Sequence, residues 1–378
     1  MGKIFTATAS VTTKDKMKST MIRTGFLAIL TALPASAEMG SKFKIDMYGF
    51  IKTDFIYSDH GTSTNELRTY TTGGRNERSF RVSARSTRFG FDINNGAKVT
   101  GKIEADFNGL SDSIGGTAGT TADLRLRHAY AVLTAGKTEF LAGQTYYPIT
   151  ADLPETFNDY SMGNSGALWA RAPQLRATYR PVDRLKFIAA VTRPTSKSTD
   201  AEGTHSALPG LQGKVEKELG KARVSLAGAC AVWKSTSTQK SADVSALVAA
   251  FYVPYSIYTF YGEAWTGRNM SDFLGGLGNT GYGEKAVTSS GGFLALKIKP
   301  QSTFWFNAVY GEDDPDNSKV AVGGRTKNST AFVNAVIHLD DCVDVGLETA
   351  ALVTQYKGAA GLYNRSSMNY QFMFKFLF

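Results

Sequence analysis

The chain ends Ser366-Ser367-Met368-Asn369-Tyr370-Gln371-Phe372-Met373-Phe374-Lys375-Phe376-Leu377-Phe378. Every second residue from Met368 to Phe378 is apolar, and four of them are phenylalanines. The residues between them, Ser367 to Leu377, are mostly polar. A period of two puts the two sets on opposite faces of a β-strand. Four phenylalanine rings on one face need apolar cover, from a packed second sheet or from lipid. A last strand in a soluble β-sandwich and a strand in a membrane barrel both meet that need, so the rest of the chain has to decide.

The same rhythm recurs along the chain. Phe43, Ile45, Met47, Gly49, Ile51, Thr53, Phe55 and Tyr57 alternate with Lys44, Asp46, Tyr48, Phe50, Lys52 and Asp54. Val99, Gly101, Ile103, Ala105 and Phe107 alternate with Lys98, Thr100, Lys102, Glu104, Asp106 and Asn108. A face this charged does not belong in a protein core, so water must meet one side and apolar cover the other. Residues 243–253 differ, being small and apolar on both faces. That suits a wall covered by a neighbouring subunit or by a folded-in loop.

Connection lengths give the architecture. Short turns are expected at Asn94-Asn95-Gly96, Ala135-Gly136, Pro181-Val182-Asp183, Leu219-Gly220, Pro254-Tyr255, Pro300-Gln301 and Asp340-Asp341. Between them lie polar, Gly/Ser/Thr-rich stretches near 60–79, 110–121, 149–170, 194–209, 235–242, 267–288, 312–327 and 357–365. Fifteen connections imply 16 strands. Short turns at one rim and long loops at the other define an all-β, transmembrane antiparallel β-barrel, with short periplasmic turns and long extracellular loops. Sixteen strands leave an aqueous lumen rather than a packed interior.

Composition agrees. A mean hydropathy of −0.19 is too polar for a helical membrane protein, and no apolar run approaches the length of a spanning helix. Gly25 to Leu33 is a short apolar run, preceded by Lys14, Lys16, Lys18 and Arg23 and followed by Ala35-Ser36-Ala37. This pattern predicts a signal peptide over 1–37, cut after Ala37, with Met17 and Met21 as alternative starts. Residues 38–378 are then a single barrel domain. Removing 1–37 takes five basic residues and one acid from the formal +9. The mild positive balance left, without a basic helix or RNA motif, gives no reason to expect a nucleic-acid partner. Cys230 and Cys342 do not make a disulfide framework.

Two charged groups stand out. Arg81 and Arg88 fall on the second strand, Arg125 and Arg127 on the fourth, and Arg176 and Arg180 on the sixth. An arginine facing lipid at the bilayer midplane costs about 2–4 kcal/mol, so this cluster reads as a positive wall lining the lumen. For Arg85 to turn inward as well, the second strand needs a bulge. The second group, Asp152, Glu155 and Asp159, lies in the loop 149–170. If that loop folds into the barrel, its acids meet the arginines and form a constriction. Otherwise it extends into solvent, and the arginines pair with Glu104 and Asp106. In the fourth strand Leu124, Leu126 and Val132 read as lipid-facing, with His128 on the apolar phase. His60, His128, His205 and His338 lack metal-ligand spacing, and no metal or cofactor is expected. Glu312, Asp313, Asp314 and Asp316 read as a solvated loop tip rather than a calcium site.

Several stretches resemble a known family. Gly49-Phe50-Ile51-Lys52-Thr53-Asp54, Ser86-Thr87-Arg88-Phe89-Gly90-Phe91, Leu126-Arg127-His128-Ala129-Tyr130 and Ala142-Gly143-Gln144-Thr145 are similar to DcaP-like trimeric outer-membrane porins. So are Ala172-Pro173-Gln174-Leu175-Arg176, Gly262-Glu263-Ala264, Gly311-Glu312-Asp313-Asp314-Pro315 and Ala331-Phe332-Val333-Asn334. The resemblance covers most of 43–378. It implies a 16-stranded homotrimer in outer-membrane lipid that passes small anionic solutes such as dicarboxylates. The arginine wall and the third loop would form the constriction. Members often carry a helical segment before the barrel, whereas here only Glu38 to Lys42 separates the cleavage site from the first strand. The function expected is a passive porin; the alternative is an adhesin or structural barrel with a blocked lumen. Phe378, as the last residue of an aromatic strand, resembles the signal read by the outer-membrane barrel assembly machinery.

Overall fold

A computed structural model describes residues 43–63, 67–72, 77–96, 98–109, 122–193, 206, 208–235, 239–282 and 285–378. The expected leader 1–37 and His205 lie outside them. Ile45–Phe378 form one compact unit.

The strands are β1 (Lys44–Ser58), β2 (Ser79–Ser83), β3 (Arg88–Asn94), β4 (Val99–Asp106), β5 (Arg125–Ala135), β6 (Thr138–Tyr146), β7 (Arg171–Tyr179) and β8 (Leu185–Thr192). They continue as β9 (Gly210–Leu219), β10 (Ala222–Lys234), β11 (Ser241–Tyr255), β12 (Tyr258–Arg268), β13 (Thr288–Gln301), β14 (Phe304–Pro315), β15 (Arg325–Asp340), β16 (Val343–Gly358) and β17 (Gly361–Leu377). From β3 onward each pairs antiparallel with the next, and β17 closes the ring on β1 through Phe50 opposite Leu377 to Ser58 opposite Asn369. Both β2 and β3 pair with β1, making one interrupted strand, so the barrel has 16. Closure leaves no sheet edge, as lipid requires.

The interruption is the bulge that Arg85 needed. The Thr87 amide donates to the Ala84 carbonyl, and the Arg85 guanidinium turns in to the carbonyls of Phe107 (3.2 Å) and Gly109 (2.8 Å). All seven short turns fall within two residues of the expected positions. The eighth loop does not exist as a loop. Residues 357–365 are strand except for a two-residue turn at Ala359 and Ala360, with Gly361 at φ 140°. Gly361 supplies the positive φ that a tight hairpin demands.

The terminal ladder is as its sequence implies. Tyr370, Phe372, Phe374, Phe376 and Phe378 are exposed on the outer face, and Asn369, Gln371 and Met373 are buried on the inner one. A second bulge corrects β5. Glu104 pairs with His128 but Ala105 pairs with Leu126, so Arg127 is the extra residue and the phase flips beyond it. His128 therefore turns inward, hydrogen-bonded to Thr145 (3.0 Å), and Leu133, not Val132, is exposed to lipid.

Candidate functional site in the barrel lumen

The lumen has two unlike walls. Along β10–β17 it holds an ordinary hydrophobic core. Ala242, Val244, Ala246 and Val248 of β11 pack against Ile149, Leu168 and Ala170 of the third loop (147–170) and against Met270 and Phe273 of the sixth (269–287). A second cluster joins Met162, Trp169 and Leu274 from the same two loops to Tyr261, Phe293, Val309, Phe332 and Leu352. Burying a side chain as completely as Leu168 or Met270 contributes about 1.5–3 kcal/mol. A folded-in loop is thus what covers the doubly apolar stretch 243–253.

The sixth loop is tied to the third by the Asn164 amide, which donates to the Leu274 carbonyl (2.5 Å), and by the Trp169 amide on Phe273 (3.1 Å). The first loop (59–78) joins the same layer. Arg68, buried, donates to Gln371 (2.5 Å), and its carbonyl accepts from Asn158 (2.7 Å). Asn328 of β15 stitches the layer to the wall, donating to the carbonyls of Thr69 (3.0 Å) and Asn164 (2.7 Å) and to Ser165 (2.6 Å).

The opposite wall, β3–β7, is charged. Arg125 grips Asp106 with two bonds, 2.9 and 2.6 Å. Arg127 bridges Glu104 (2.6 Å) and Asp106 (2.8 Å), and Arg88 lies 3.7 Å from Glu104. These bidentate, charge-assisted contacts lock the guanidinium planes. Arg171 and Arg176 are different. Arg171 donates to the Tyr146 hydroxyl (2.9 Å) and lies over the rings of Tyr146 and Trp169, with centroids 5.0 and 5.2 Å away. Arg176 donates to Gln174 and to the Tyr146 carbonyl. Among the described residues neither meets a carboxylate. Arg81 lies on the inner face of β2, between the exposed Phe80 and Val82. Arg180 follows β7 at the short-turn rim, paired with Glu139 at 2.9 Å.

The loop acids do not reach this wall as a group. Asp152 pairs with Arg223 of β10 (2.5 Å), Glu155 with Lys297 of β13 (2.6 Å) and Asp159 with Lys52 of β1 (3.7 Å). Burial alone would raise the Asp159 carboxyl, yet the charges of Lys52 and Arg88 hold it below its usual range. Two cavities flank the loop. One, of about 260 Å³, lies among Phe50, Arg88, Phe157, Trp305 and Lys375; the other, of about 240 Å³, lies among Asp152, Lys214, Glu216 and Arg223. The supposed acidic tip 312–316 is mostly strand: Asp313 is buried on β14, and Glu312 and Asp314 meet Lys327 at 2.7 and 3.6 Å. Among the described residues no group of side chains could hold a metal ion.

A closed 16-stranded barrel whose third loop folds inward is a known architecture. The chain superposes on the outer-membrane channel DcaP of Acinetobacter baumannii with a TM-score of 0.78 at 20% identity, covering 91% of this chain and 99% of that one. The fold is that of an outer-membrane porin. OmpT, an outer-membrane protein of Vibrio cholerae, matches with a TM-score of 0.60 at 13% identity over 90% of this chain and 99% of its own. An anion-selective porin from Comamonas acidovorans gives 0.60 at 12% identity, over 89% of this chain and 100% of its own. No family model and no curated protein matches the chain. Sequence reading put Arg88, Arg125, Arg127 and Arg176 on the inner face by their phase. It missed Lys52, Arg223 and Lys297 as the loop's partners, because nothing local tells where a loop crosses a barrel.

Proposed function

We propose that the chain is an outer-membrane porin, a passive channel for small hydrophilic solutes with a modest preference for anions such as dicarboxylates. The observation that carries this reading is the pair Arg171 and Arg176, lumen-side guanidiniums with no carboxylate partner among the described residues. The core of loops fills the lumen along β10–β17, so solutes pass along β3–β7, between the arginines and the third loop. That loop, with Asp152, Glu155 and Asp159, then forms the constriction's far side. Arg88, Arg125 and Arg127 keep their planes fixed through Glu104 and Asp106 and give the passage a rigid, net-positive edge. Short turns face the periplasm, the leader 1–37 directs export, and three copies assemble in lipid.

Planar-bilayer recording tests the reading: the expected result is an ohmic pore whose reversal potential in a salt gradient has the anion sign. A cation sign contradicts the arginine wall. A silent, correctly inserted barrel supports the second reading, a structural or adhesive barrel, which the packed three-loop layer favours. Phe378 serves the assembly machinery in this account. Its deletion lowers the amount of inserted barrel and leaves single-channel conductance alone; normal insertion refutes that role.

A further inference from the structure

Three carboxylates on the inner faces of alternate strands have no place in the passage just described. Glu263 on β12, Asp313 on β14 and Glu348 on β16 are 4%, 0% and 3% exposed. Other carboxylates on the inner face, Glu104, Asp106, Glu216 and Asp344, each have a cation within ion-pair distance, but among the described residues these three have none. Each instead meets backbone N–H groups of an inward-folded loop. Leu168 donates to Glu263 at 2.6 Å. Asp313 faces the N–H groups of Gly276 and Leu277 without a full hydrogen bond. Glu348 takes the Phe157 amide (2.9 Å), the Thr156 hydroxyl (2.8 Å) and the Asn334 side-chain amide (2.9 Å).

We propose that Glu348 is the positioning residue that sets the channel's width, by clamping the tip of the third loop to the wall opposite the arginines. Glu263 holds the base of that loop through the Leu168 amide. The inference rests on the channel reading. A loop amide inside the lumen must find an acceptor, and a charged acceptor gives a bond about twice as strong as a neutral one. Because Glu348 bonds no cation across the sheet, its bonds go to the loop and to the amide beside it rather than to wall-to-wall ion pairs. Its neighbours agree. Asn334 also donates to the Glu155 carbonyl (2.7 Å), and Lys52 donates to the Phe157 carbonyl (2.8 Å). The wall under the tip is hollowed: a Cβ on Gly346 would stand 2.4 Å from the Phe157 ring.

Single-channel recording of full-length Glu348→Ala and Glu348→Gln tests this. The alanine variant frees the tip to swing toward the arginines, lowers conductance about 1.5-fold or more and excludes polyethylene glycols that the wild type admits. Glutamine keeps an acceptor for Phe157 and returns most of the way to wild type, with the same barrel unfolding temperature. If Glu348→Ala does not insert, Thr156→Val removes one donor from the loop side, and lower conductance with more open-channel noise is expected. Unchanged current in the inserted variant, with an open wild type, overturns this inference alone. A silent wild type overturns the channel reading as well.

Discussion

The walls β3–β7 and β11–β17 are built from the same alternating strands yet solve opposite problems. On β11–β17 the inner face is largely apolar or neutral-polar, interrupted by Glu263, Asp313, Glu348 and the Asp344–Lys375 pair, and three loops bury most of it as a core. On β3–β7 it is charged: Arg125 and Arg127 pair with Glu104 and Asp106 within the sheet, while Arg171 and Arg176 meet no carboxylate among the described residues. A barrel this wide has too much inner surface for one solution. Packed along one side, it is firm; left polar along the other, it keeps water. Hydrophobic burial fixes where the loops lie, and ion pairs fix how the opposite wall is held.

The largest expected effect breaks the charged wall's own stability. Arg127 is 5% exposed and holds both Glu104 and Asp106. Arg127→Met removes the guanidinium that Glu104 and Asp106 share, leaving Asp106 to Arg125 and Glu104 to the more distant Arg88, and costs about 3 kcal/mol, read as a lower unfolding temperature of the inserted barrel. A barrel unfolding at the wild-type temperature would mean that Arg88 and Arg125 suffice. Next, Arg171→Gln with Arg176→Gln removes two charges that no carboxylate among the described residues holds. Here stability stays near wild type, while the anion-to-cation permeability ratio falls by roughly a factor of three or more. An unchanged ratio would move the selecting charges elsewhere.

The smallest effect is one of pH. Because the Asp159 carboxyl sits below its usual range in the folded chain, its contribution to loop docking is complete above the ordinary aspartate value, about 3.9. It is lost only as pH falls through the lower folded value. Conductance between about pH 8 and 5 should therefore show no step from this group; a step there that Asp159→Asn abolishes would reverse the sign of its coupling.

Much of this was legible in the sequence, for reasons that differ between the walls. Lipid forbids an unpaired strand edge and penalises outward charge, so a period of two read the faces of β1, β4 and the Phe372–Phe378 ladder. It failed where the backbone leaves that period. The extra residue at Arg127 hid the inward turn of His128, and Gly358-Ala359-Ala360-Gly361 looked like a loop because a tight turn has the same composition. The arginines were visible because phase alone places them. Their partners Glu104 and Asp106 were visible too, one strand away. The loop-covered wall showed only at 243–253, whose two apolar faces suited a folded-in loop or a neighbouring subunit: Glu348 carries an inward phase like any lumen acid, and only the third loop's path across the barrel shows that Phe157 is its partner.

The passage proposed for solutes runs along β3–β7 and not behind the third loop. Single cysteines test it most directly, in a background with Cys230 and Cys342 replaced. Under recording, a charged thiol reagent should reach Arg176→Cys quickly and cut the anion current, and should leave Asn334→Cys, 4% exposed in the native wall, unmodified. Rapid block at Asn334→Cys with Arg176→Cys untouched would contradict the account.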